Sequence, residues 1–175
     1  MALTTETVAD AAMRILADFG LGDLTMRRLA RDLGVQPSAL YWHVADKQSL
    51  LVLLAGRMAA QADDLARRTP DQDRLTSTID AIAAYRDVLL RYRESADIVL
   101  LAYAHSGRSV LPAVLTDLDE VVRGSVIPFV LGSIAIQQNR HLVADDHAPP
   151  SRTPGGPDEH AEASFRTGLT RLLTP

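Results

Sequence analysis

The sequence contains no cysteine, which excludes disulfide bonds and thiolate metal sites. Aromatic residues are scarce, at 5%, and there is a single tryptophan. The amino terminus has no basic segment followed by an apolar run, so we predict no signal peptide. We also find no apolar stretch of the roughly 18 residues that a membrane span requires. We therefore expect a cytoplasmic protein with no membrane partner.

What is present is typical of a globular helical protein. The chain has 175 residues, of which 47% are hydrophobic and 23% are charged, enough to form a core. Alanine and leucine dominate and β-branched runs are few, which favours helices. We predict an all-α fold.

Charge is unevenly distributed along the chain. The net charge of −4 argues against non-specific binding of nucleic acid. Between residues 25 and 47, however, four basic residues stand against two acidic ones, a local charge of +2. The same stretch contains Tyr41, Trp42 and His43 side by side. A core normally spaces such rings apart, so this run indicates an exposed surface.

Capping residues and glycines divide the first 46 residues into three short helices. We predict helices over 4–20, 26–33 and 37–45, the second capped by Thr25 and followed by Gly34. Two short helices joined by a glycine-containing turn of about three residues form a helix-turn-helix, a motif that binds DNA. The first helix is expected to bury the backs of the other two.

Apolar periodicity predicts more helices after this motif, the next of them capped by Asp46. A break is expected at Pro70, and the proline- and glycine-rich stretch 145–158 is expected to be a loop. The segment 96–105 is strongly apolar and is expected to be buried. The remaining helices are predicted over 75–92, 112–122, 124–138 and 159–173.

The stretch LTMRRLARDLGVQPSALYWHVADKQSLL closely resembles the DNA-binding head of the tetracycline-repressor family of bacterial transcription regulators. The resemblance covers about residues 4–54. It is carried by the Leu-Gly-Val turn, the Leu-Tyr-Trp-His-Val run and the lysine that opens the fourth helix. Further along, FVLGSIAIQQ and SFRTGLTRLL are similar to the two dimer-interface helices of the family's tetracycline-repressor branch.

This resemblance implies an N-terminal three-helix head at 1–46, which a linking helix joins to a C-terminal ligand-binding and dimerisation domain at 47–175. It implies a homodimer formed through the helices near 125–139 and 159–173. The implied function is that of a transcriptional regulator, most often a repressor. A small lipophilic or aromatic effector would release it from a pseudo-palindromic operator of double-stranded DNA. No cofactor is implied.

The recognition helix of such a head enters the major groove with its N-terminal residues at base edges. Short side chains at Ser38 and Ala39 allow close approach, and polar ring edges and basic groups reach phosphates. The alternative is that Tyr41 and Trp42 pack in the core while the arginines are simply solvated. The predicted DNA-binding residues are Thr25, Arg27, Arg28, Pro37, Ser38, Ala39, Tyr41, Trp42, His43 and Lys47.

The likeness to the tetracycline-repressor branch is incomplete in the C-terminal part. Val99 occupies the place of a histidine that binds the drug–magnesium complex, and Asp63 and Ala81 replace two further polar drug ligands. Tyr85 keeps an aromatic residue. We therefore expect no tetracycline–magnesium effector. The span 118–129 is also short, so a helix that usually precedes the first dimerisation helix is expected to be missing.

The apolar helices from Leu75 to Ala104 must be buried against something, and the family resemblance implies that they partly surround a small-molecule cavity. Such pockets are mostly apolar with a few polar anchors. His105 could orient a ligand or could be a satisfied core histidine. The predicted ligand-binding residues are Tyr85, Arg86, Tyr103 and His105.

A metal site and a catalytic site are both disfavoured. The residues with suitable chemistry for a metal lie mainly in or beside the proline-rich loop, where solvated side chains are the usual outcome. We therefore predict no metal site, and because no catalytic constellation stands out we predict no enzyme. The metal candidates were His141, Asp145, Asp146, His147 and His160.

One alternative function remains open at this point. Residues 1–50 carry a net charge of −1, with five basic residues against six acidic ones. A head so close to neutral also fits a helical small-molecule-binding or adaptor protein that has lost DNA binding.

Overall fold

A computed structural model describes residues 2–68, 73–144 and 159–174. Within these ranges the chain forms α-helices and no strand, which confirms the all-α prediction. The break predicted at Pro70 and the loop predicted at 145–158 lie outside the described residues. The helices are α1 (Thr5–Phe19), α2 (Met26–Asp32), α3 (Pro37–Leu40), α4 (Lys47–Ala66), α5 (Arg74–Leu90), α6 (Ser95–Ser106), α7 (Ala113–Thr116), α8 (Glu120–Ala144) and α9 (Glu159–Leu173), with a 3₁₀ turn at Gly107–Val110.

Short polar side chains begin the helices of the first half. The hydroxyl of Thr4 accepts a hydrogen bond from the Thr7 N–H at 3.1 Å, and the Thr7 hydroxyl accepts one from the Thr4 N–H at 2.9 Å. Thr25 caps α2 in the same way, and Asp46 caps α4 by accepting from the Ser49 N–H at 2.7 Å. That bond lowers the pKa of the Asp46 carboxyl. Each cap satisfies an N–H that has no partner within its helix.

Gly34 ends α2 and starts the turn of the helix-turn-helix. Its φ of 66° lies in the left-handed region that glycine adopts without steric cost. The Val35 N–H then donates to the Ala30 carbonyl at 3.0 Å, closing the helix end. The predicted glycine-containing turn between two short helices is confirmed.

The prediction that the third helix continues to Ala45 is wrong, because α3 ends at Leu40. The N–H groups of His43 and Val44 both donate to the Leu40 carbonyl at 2.9 Å, which closes a turn instead of a longer helix. Asp46 has an extended backbone, with φ −160° and ψ 180°, as a helix cap requires. The chain must therefore leave the helix before the cap of α4.

One continuous core runs through the described residues, from Val8 in α1 to Leu169 in α9. Leu40 and Val44 are buried in it, as predicted from their spacing. The long helix α4 packs on both α5 and α6 and thereby joins the first 46 residues to the remainder. The division into 1–46 and 47–175 stays a prediction.

The prediction of one helix over 112–122 is wrong. Helix α7 is a single turn that ends at Thr116, and α8 begins at Glu120. The Asp119 carboxylate accepts hydrogen bonds from the N–H groups of Val121 and Val122 at 3.0 Å, so it caps a new helix. Only the 3₁₀ turn and α7 stand between α6 and α8.

Helix α6 is buried on one face rather than throughout. Ile98 and Val99 are fully buried, whereas Leu100 and Leu101 are 55% and 46% exposed. The expectation that the whole segment 96–105 is buried therefore holds for one face only.

Helix α8 contains Pro128, which lacks an N–H for the helical ladder. From Glu120 to Asn139 this helix is long and apolar enough, by length and composition, to cross a membrane, with mean hydropathy 1.3. The prediction that the chain contains no apolar stretch long enough to span a membrane is therefore wrong. Helix α8 nevertheless packs against α5, α6 and α9, as a helix of a protein core does.

Candidate nucleic-acid interface

Helix α3 turns its short side chains outward because its last residue is held in the core. Leu40 is fully buried, which fixes the rotation of this single-turn helix. Pro37 and Ser38 are exposed and Ala39 is half-buried. The backbone of α3 can therefore approach a partner closely at these three positions.

Two aromatic side chains project from the turn that follows α3. Trp42 is 90% exposed, more than any other large hydrophobic side chain in the described residues, and Tyr41 is 53% exposed. His43 is half-buried beside them. The alternative in which Tyr41 and Trp42 pack in the core does not hold. An indole left in water at this level is typical of a surface that meets a partner.

Helices α2 and α3 form an open depression in which several of the predicted residues meet. Thr25, Met26, Arg27, Pro37 and Tyr41 line it. Arg27 is exposed and makes no ion pair or side-chain hydrogen bond to any residue that the structure describes. The Thr25 hydroxyl accepts the capping bond but keeps its own proton available for a phosphate. Met26 was not predicted, because its apolar side chain carries neither a charge nor a hydrogen-bond donor for DNA.

Arg28 differs from its neighbour Arg27. It forms an ion pair with Asp23, and its guanidinium carbon lies 3.9 Å from the centroid of the Phe19 ring. Its side chain is only 24% exposed. Arg28 therefore joins the end of α1 to the start of α2. Its charge is largely balanced by Asp23 within the head.

Lys47 is the first residue of α4 and is exposed next to the capping residue Asp46. Its ammonium group and the first N–H groups of a twenty-residue helix lie at the same end of α4. Such helix ends favour anions.

The head also contacts the C-terminal part through Glu94, in the turn before α6. The Glu94 carboxylate accepts a hydrogen bond from the Leu21 N–H at 2.6 Å. Glu94 has φ of 54°, alone among the described non-glycine residues in being positive, and a Cβ on Gly20 would lie 2.8 Å from its Oε2. Nothing in the sequence signals this contact, because the two bonded residues are 73 positions apart.

Two of the predicted ligand anchors lie deep in the C-terminal part, on α5. Tyr85 is fully buried and its hydroxyl has no hydrogen-bond partner in the described structure, and burial raises the pKa of this phenol. Arg86 is 4% exposed and forms an ion pair with Glu162 at 3.1 Å and a hydrogen bond with Gln137. The Arg86 charge is thus balanced within the protein.

The other two predicted anchors lie on α6, away from that pair. Tyr103 lines a cleft of about 400 Å³ between α6 and α8, whereas His105 is exposed near the end of α6. The structure therefore does not bring the four predicted anchors together. The cleft contains an unpredicted buried cation, Arg123, and is lined by Ala96, Asp97, Leu100, Tyr103, Arg123, Gly124, Ile127, Pro128, Leu131, Gly132 and Ala135.

Within the described ranges, no group of three or more His, Asp or Glu side chains is placed to hold a metal ion. Asp145, Asp146 and His147 lie outside those ranges, and the side chain of His141 is not described. The predicted absence of a metal site stays a prediction.

Bacterial regulatory proteins are similar to this chain both over the head and over nearly its whole length. The family model "Bacterial regulatory proteins, tetR family" matches residues 8–54. The class D tetracycline repressor protein of Escherichia coli is 28% identical over 179 residues, a match that spans 95% of this chain and 78% of that protein.

Solved structures extend the similarity to the fold. BioQ of Mycobacterium smegmatis has a TM-score of 0.75 at 30% identity, with 98% of this chain and 96% of that chain covered. A BioQ structure with its natural double-stranded DNA operator has a TM-score of 0.72, at the same identity and coverage. A TetR variant of Acinetobacter baumannii AYE in complex with minocycline has a TM-score of 0.70 at 26% identity, with 98% and 92% covered.

Proposed function

The chain belongs to the tetR family of bacterial regulatory proteins, whose members are DNA-binding transcription regulators, and from this premise we propose a ligand-responsive repressor. In this proposal a cytoplasmic homodimer holds a pseudo-palindromic operator through its two heads. A small lipophilic or aromatic molecule binds the C-terminal part and releases the DNA.

The observation that carries this proposal is the exposed Trp42 beside Tyr41 and the unpaired Arg27. These side chains surround the outward face of a helix-turn-helix whose opposite face is buried. Ring edges and a free guanidinium suit phosphates, and the short Ser38 and Ala39 suit base edges. That BioQ, of similar fold, is solved on its operator supports the same docking here.

The predicted contacts divide into two groups on this surface. Pro37, Ser38 and Ala39 lie at the start of α3 and are proposed to reach bases in the major groove. The remaining predicted residues are proposed to fix the register of the head on the phosphates. Arg28 is the weakest member of that group, since Asp23 and Phe19 already hold it.

Dimerisation is proposed through α8 and α9. Along α8 several small or apolar side chains face solvent, with Val121 81% exposed and Ile136 57% exposed. Ser125 lies between them and is exposed as well. A helix face of this kind is stabilised by burial against an identical face in a two-fold dimer. Such a dimer would set the two heads about one turn of DNA apart or somewhat more.

Release is proposed to depend on α6, because this helix and the turn before it contact the head region. The Leu101 carbonyl accepts a hydrogen bond from the Gln48 side chain in the first turn of α4 at 3.1 Å. Glu94 holds Leu21 at the other end of α6. A ligand that displaces α6 would therefore change the position of the head. By linkage, operator DNA must weaken effector binding by the same factor.

The effector is proposed not to be a tetracycline–magnesium complex. Asp63 stands at the place of a polar drug ligand, and its carboxylate accepts a hydrogen bond from the Ala113 N–H at 3.0 Å. This carboxylate holds the start of α7 and is thereby occupied. The minocycline complex of the Acinetobacter protein supports small-molecule binding in this architecture, but not that chemistry in this chain.

Binding to the DNA next to the protein's own gene tests the proposal, with fluorescence anisotropy as the measurement. We expect an affinity that falls steeply with salt, because phosphate contacts release counterions. Arg27→Ala and Tyr41→Ala should each weaken binding about tenfold, or about 1.4 kcal/mol, without lowering the melting temperature.

The matched control is Arg91→Ala, which removes the same charge from an exposed position at the end of α5 and should leave binding unchanged. Equal affinities of the unsubstituted protein, Arg27→Ala and Tyr41→Ala would overturn the assignment of these residues. Absence of salt-dependent binding to any segment beside the gene would favour the small-molecule-binding protein without DNA binding.

A further inference from the structure

Arg123, near the start of α8, is a buried cation without an acidic partner. It is 7% exposed, and its Nη1 donates to the carbonyls of Leu118 at 2.7 Å and Thr116 at 3.4 Å. Within the described residues no carboxylate forms an ion pair with it. Arginine is rarely buried unless it is paired, because removing its charge from water is costly.

The other buried arginine shows the usual solution. Arg86 is buried to a similar extent, and Glu162 pairs with it directly while Gln137 accepts a further hydrogen bond. Two neutral carbonyls satisfy protons of Arg123 but do not neutralise its charge. A bound anion would neutralise the charge of Arg123.

Arg123 is one of the residues that line the cleft between α6 and α8. Apart from Arg123, the polar groups at its wall are Tyr103 and Asp97, and the remainder is mainly aliphatic. A Cβ added at Gly124 or Gly132 would meet nothing within 4 Å, so the α8 side of the cleft is open space next to bare backbone. The volume of about 400 Å³ lies within the range of small-molecule sites.

We propose that this cleft binds an apolar small molecule through its carboxylate, with Arg123 as the anchor of the anion and Tyr103 beside the apolar body. A guanidinium offers a planar fork of N–H donors that matches a carboxylate, and such charge-assisted bonds are stronger in a site screened from water. Asp97 is exposed, and no ion pair between it and Arg123 occurs among the described residues, so it does not neutralise that charge.

This inference rests on the proposed function, for which it names the chemical class of the effector. Leu100 and Tyr103 lie in the α6 wall of the cleft. Between them in the chain is Leu101, whose carbonyl accepts a hydrogen bond from the Gln48 side chain at the start of α4. A molecule wedged between α6 and α8 therefore acts on the helix that contacts the head. Its carboxylate would hold it at the α8 side while its body displaces α6.

Calorimetric titration with three probes of one shape tests the anion preference: biphenyl carboxylate, biphenyl methanol and biphenyl methylamine. We expect the carboxylate to bind most tightly. Arg123→Gln should weaken carboxylate binding about tenfold to a hundredfold, the usual effect of losing a charged hydrogen bond, and leave the alcohol unchanged. Arg123→Lys should restore part of the loss, since it returns the charge without the fork.

The matched control is Arg108→Gln, an exposed arginine in the 3₁₀ turn after α6, which should keep the carboxylate preference. If Arg123 only fastens the turn before α8, Arg123→Gln lowers the melting temperature but all three probes keep their order, and the proposal is overturned. It is also overturned if the alcohol or the amine binds as well as the carboxylate, or if no probe binds.

Operator binding, measured in parallel, separates this inference from the proposed function. Release of operator DNA by biphenyl carboxylate from the unsubstituted protein but not from Arg123→Gln supports both. Release by the neutral or cationic probe leaves the ligand-responsive repressor in place and overturns the carboxylate site. Failure of the protein to bind DNA overturns the repressor alone, because the calorimetric preference stands on its own.

Discussion

The head and the C-terminal part differ in which side chains they expose and which they bury. The head exposes an apolar ring, whereas the C-terminal part buries polar groups. In the head an apolar ring, Trp42, is left 90% exposed, and the free cation Arg27 lies in water beside it. In the C-terminal part the Tyr85 hydroxyl is buried with no hydrogen-bond partner in the described structure, and Arg123 is buried with no acidic partner among the described residues. A stable monomer that meets nothing would do neither, since exposed indole and buried unpaired polar atoms both raise its free energy.

The contrast fits two partners of different size. A DNA duplex is too large to be enclosed, so the groups that contact it must stand out from the surface. A small molecule is enclosed, so the few polar groups that orient it lie inside the protein. The contrast therefore supports the proposed DNA-binding surface in the head and the proposed small-molecule site in the C-terminal part.

The largest expected effect separates two residues of the recognition segment, by which we mean α3 and the turn after it (residues 37–44). Leu40→Ala should reduce the free energy of unfolding by about 3 kcal/mol, because a fully buried leucine leaves a cavity when truncated. Trp42→Ala should change it by less than about 0.5 kcal/mol, as at most exposed sites, while weakening operator binding. Chemical denaturation measures the first quantity and anisotropy the second. A Trp42→Ala protein as unstable as Leu40→Ala would mean that the indole packs in the core.

An intermediate effect is expected at the contact between the two regions. Glu94→Gln should cost about 1 kcal/mol of stability, because a charged acceptor for the Leu21 N–H becomes neutral. It should also reduce the factor by which an effector weakens operator binding. Glu120→Gln removes an exposed charge at the start of α8 and serves as the control. An unchanged coupling factor in Glu94→Gln would show that this contact does not transmit the signal.

The smallest effect is expected at Tyr85. Tyr85→Phe removes a buried hydroxyl that has no hydrogen-bond partner in the described structure, so stability should rise by up to about 1 kcal/mol. Thermal unfolding measures the change. If Tyr85 also anchors the effector, the same variant should bind effector more weakly while unfolding at a higher temperature. A loss of stability would indicate a partner for the hydroxyl and would weaken the contrast with the head.

Much of the head could be predicted from the sequence, because its determinants are local. The caps Thr25 and Asp46 and the breaker Gly34 act within three or four residues, and the spacing of Leu40 and Val44 fixes which way the recognition segment turns. The length of α3 was overestimated, since helical spacing alone does not show that a cap six residues later needs an extended chain. The ion pair of Arg28 with Asp23 and its contact with the Phe19 ring were also not predicted.

The C-terminal part was predicted less well because its site depends on pairs of distant residues. Residue type suggested Tyr85, Arg86, Tyr103 and His105, but Arg86 is paired with Glu162, 76 positions away, and His105 is exposed. Arg123 looked like any helical arginine, and only the packing of α6 against α8 makes it a buried cation beside a cleft.

By itself the sequence determined the order of the main helices and the outward orientation of the recognition segment, since capping bonds and helical periodicity act over a few residues. Tertiary structure decided which charges are neutralised, which remain free and where the head meets the remainder. Those outcomes depend on which distant groups are brought within hydrogen-bond distance and shielded from water, as Glu94 and Leu21 are, and no local pattern encodes that distance.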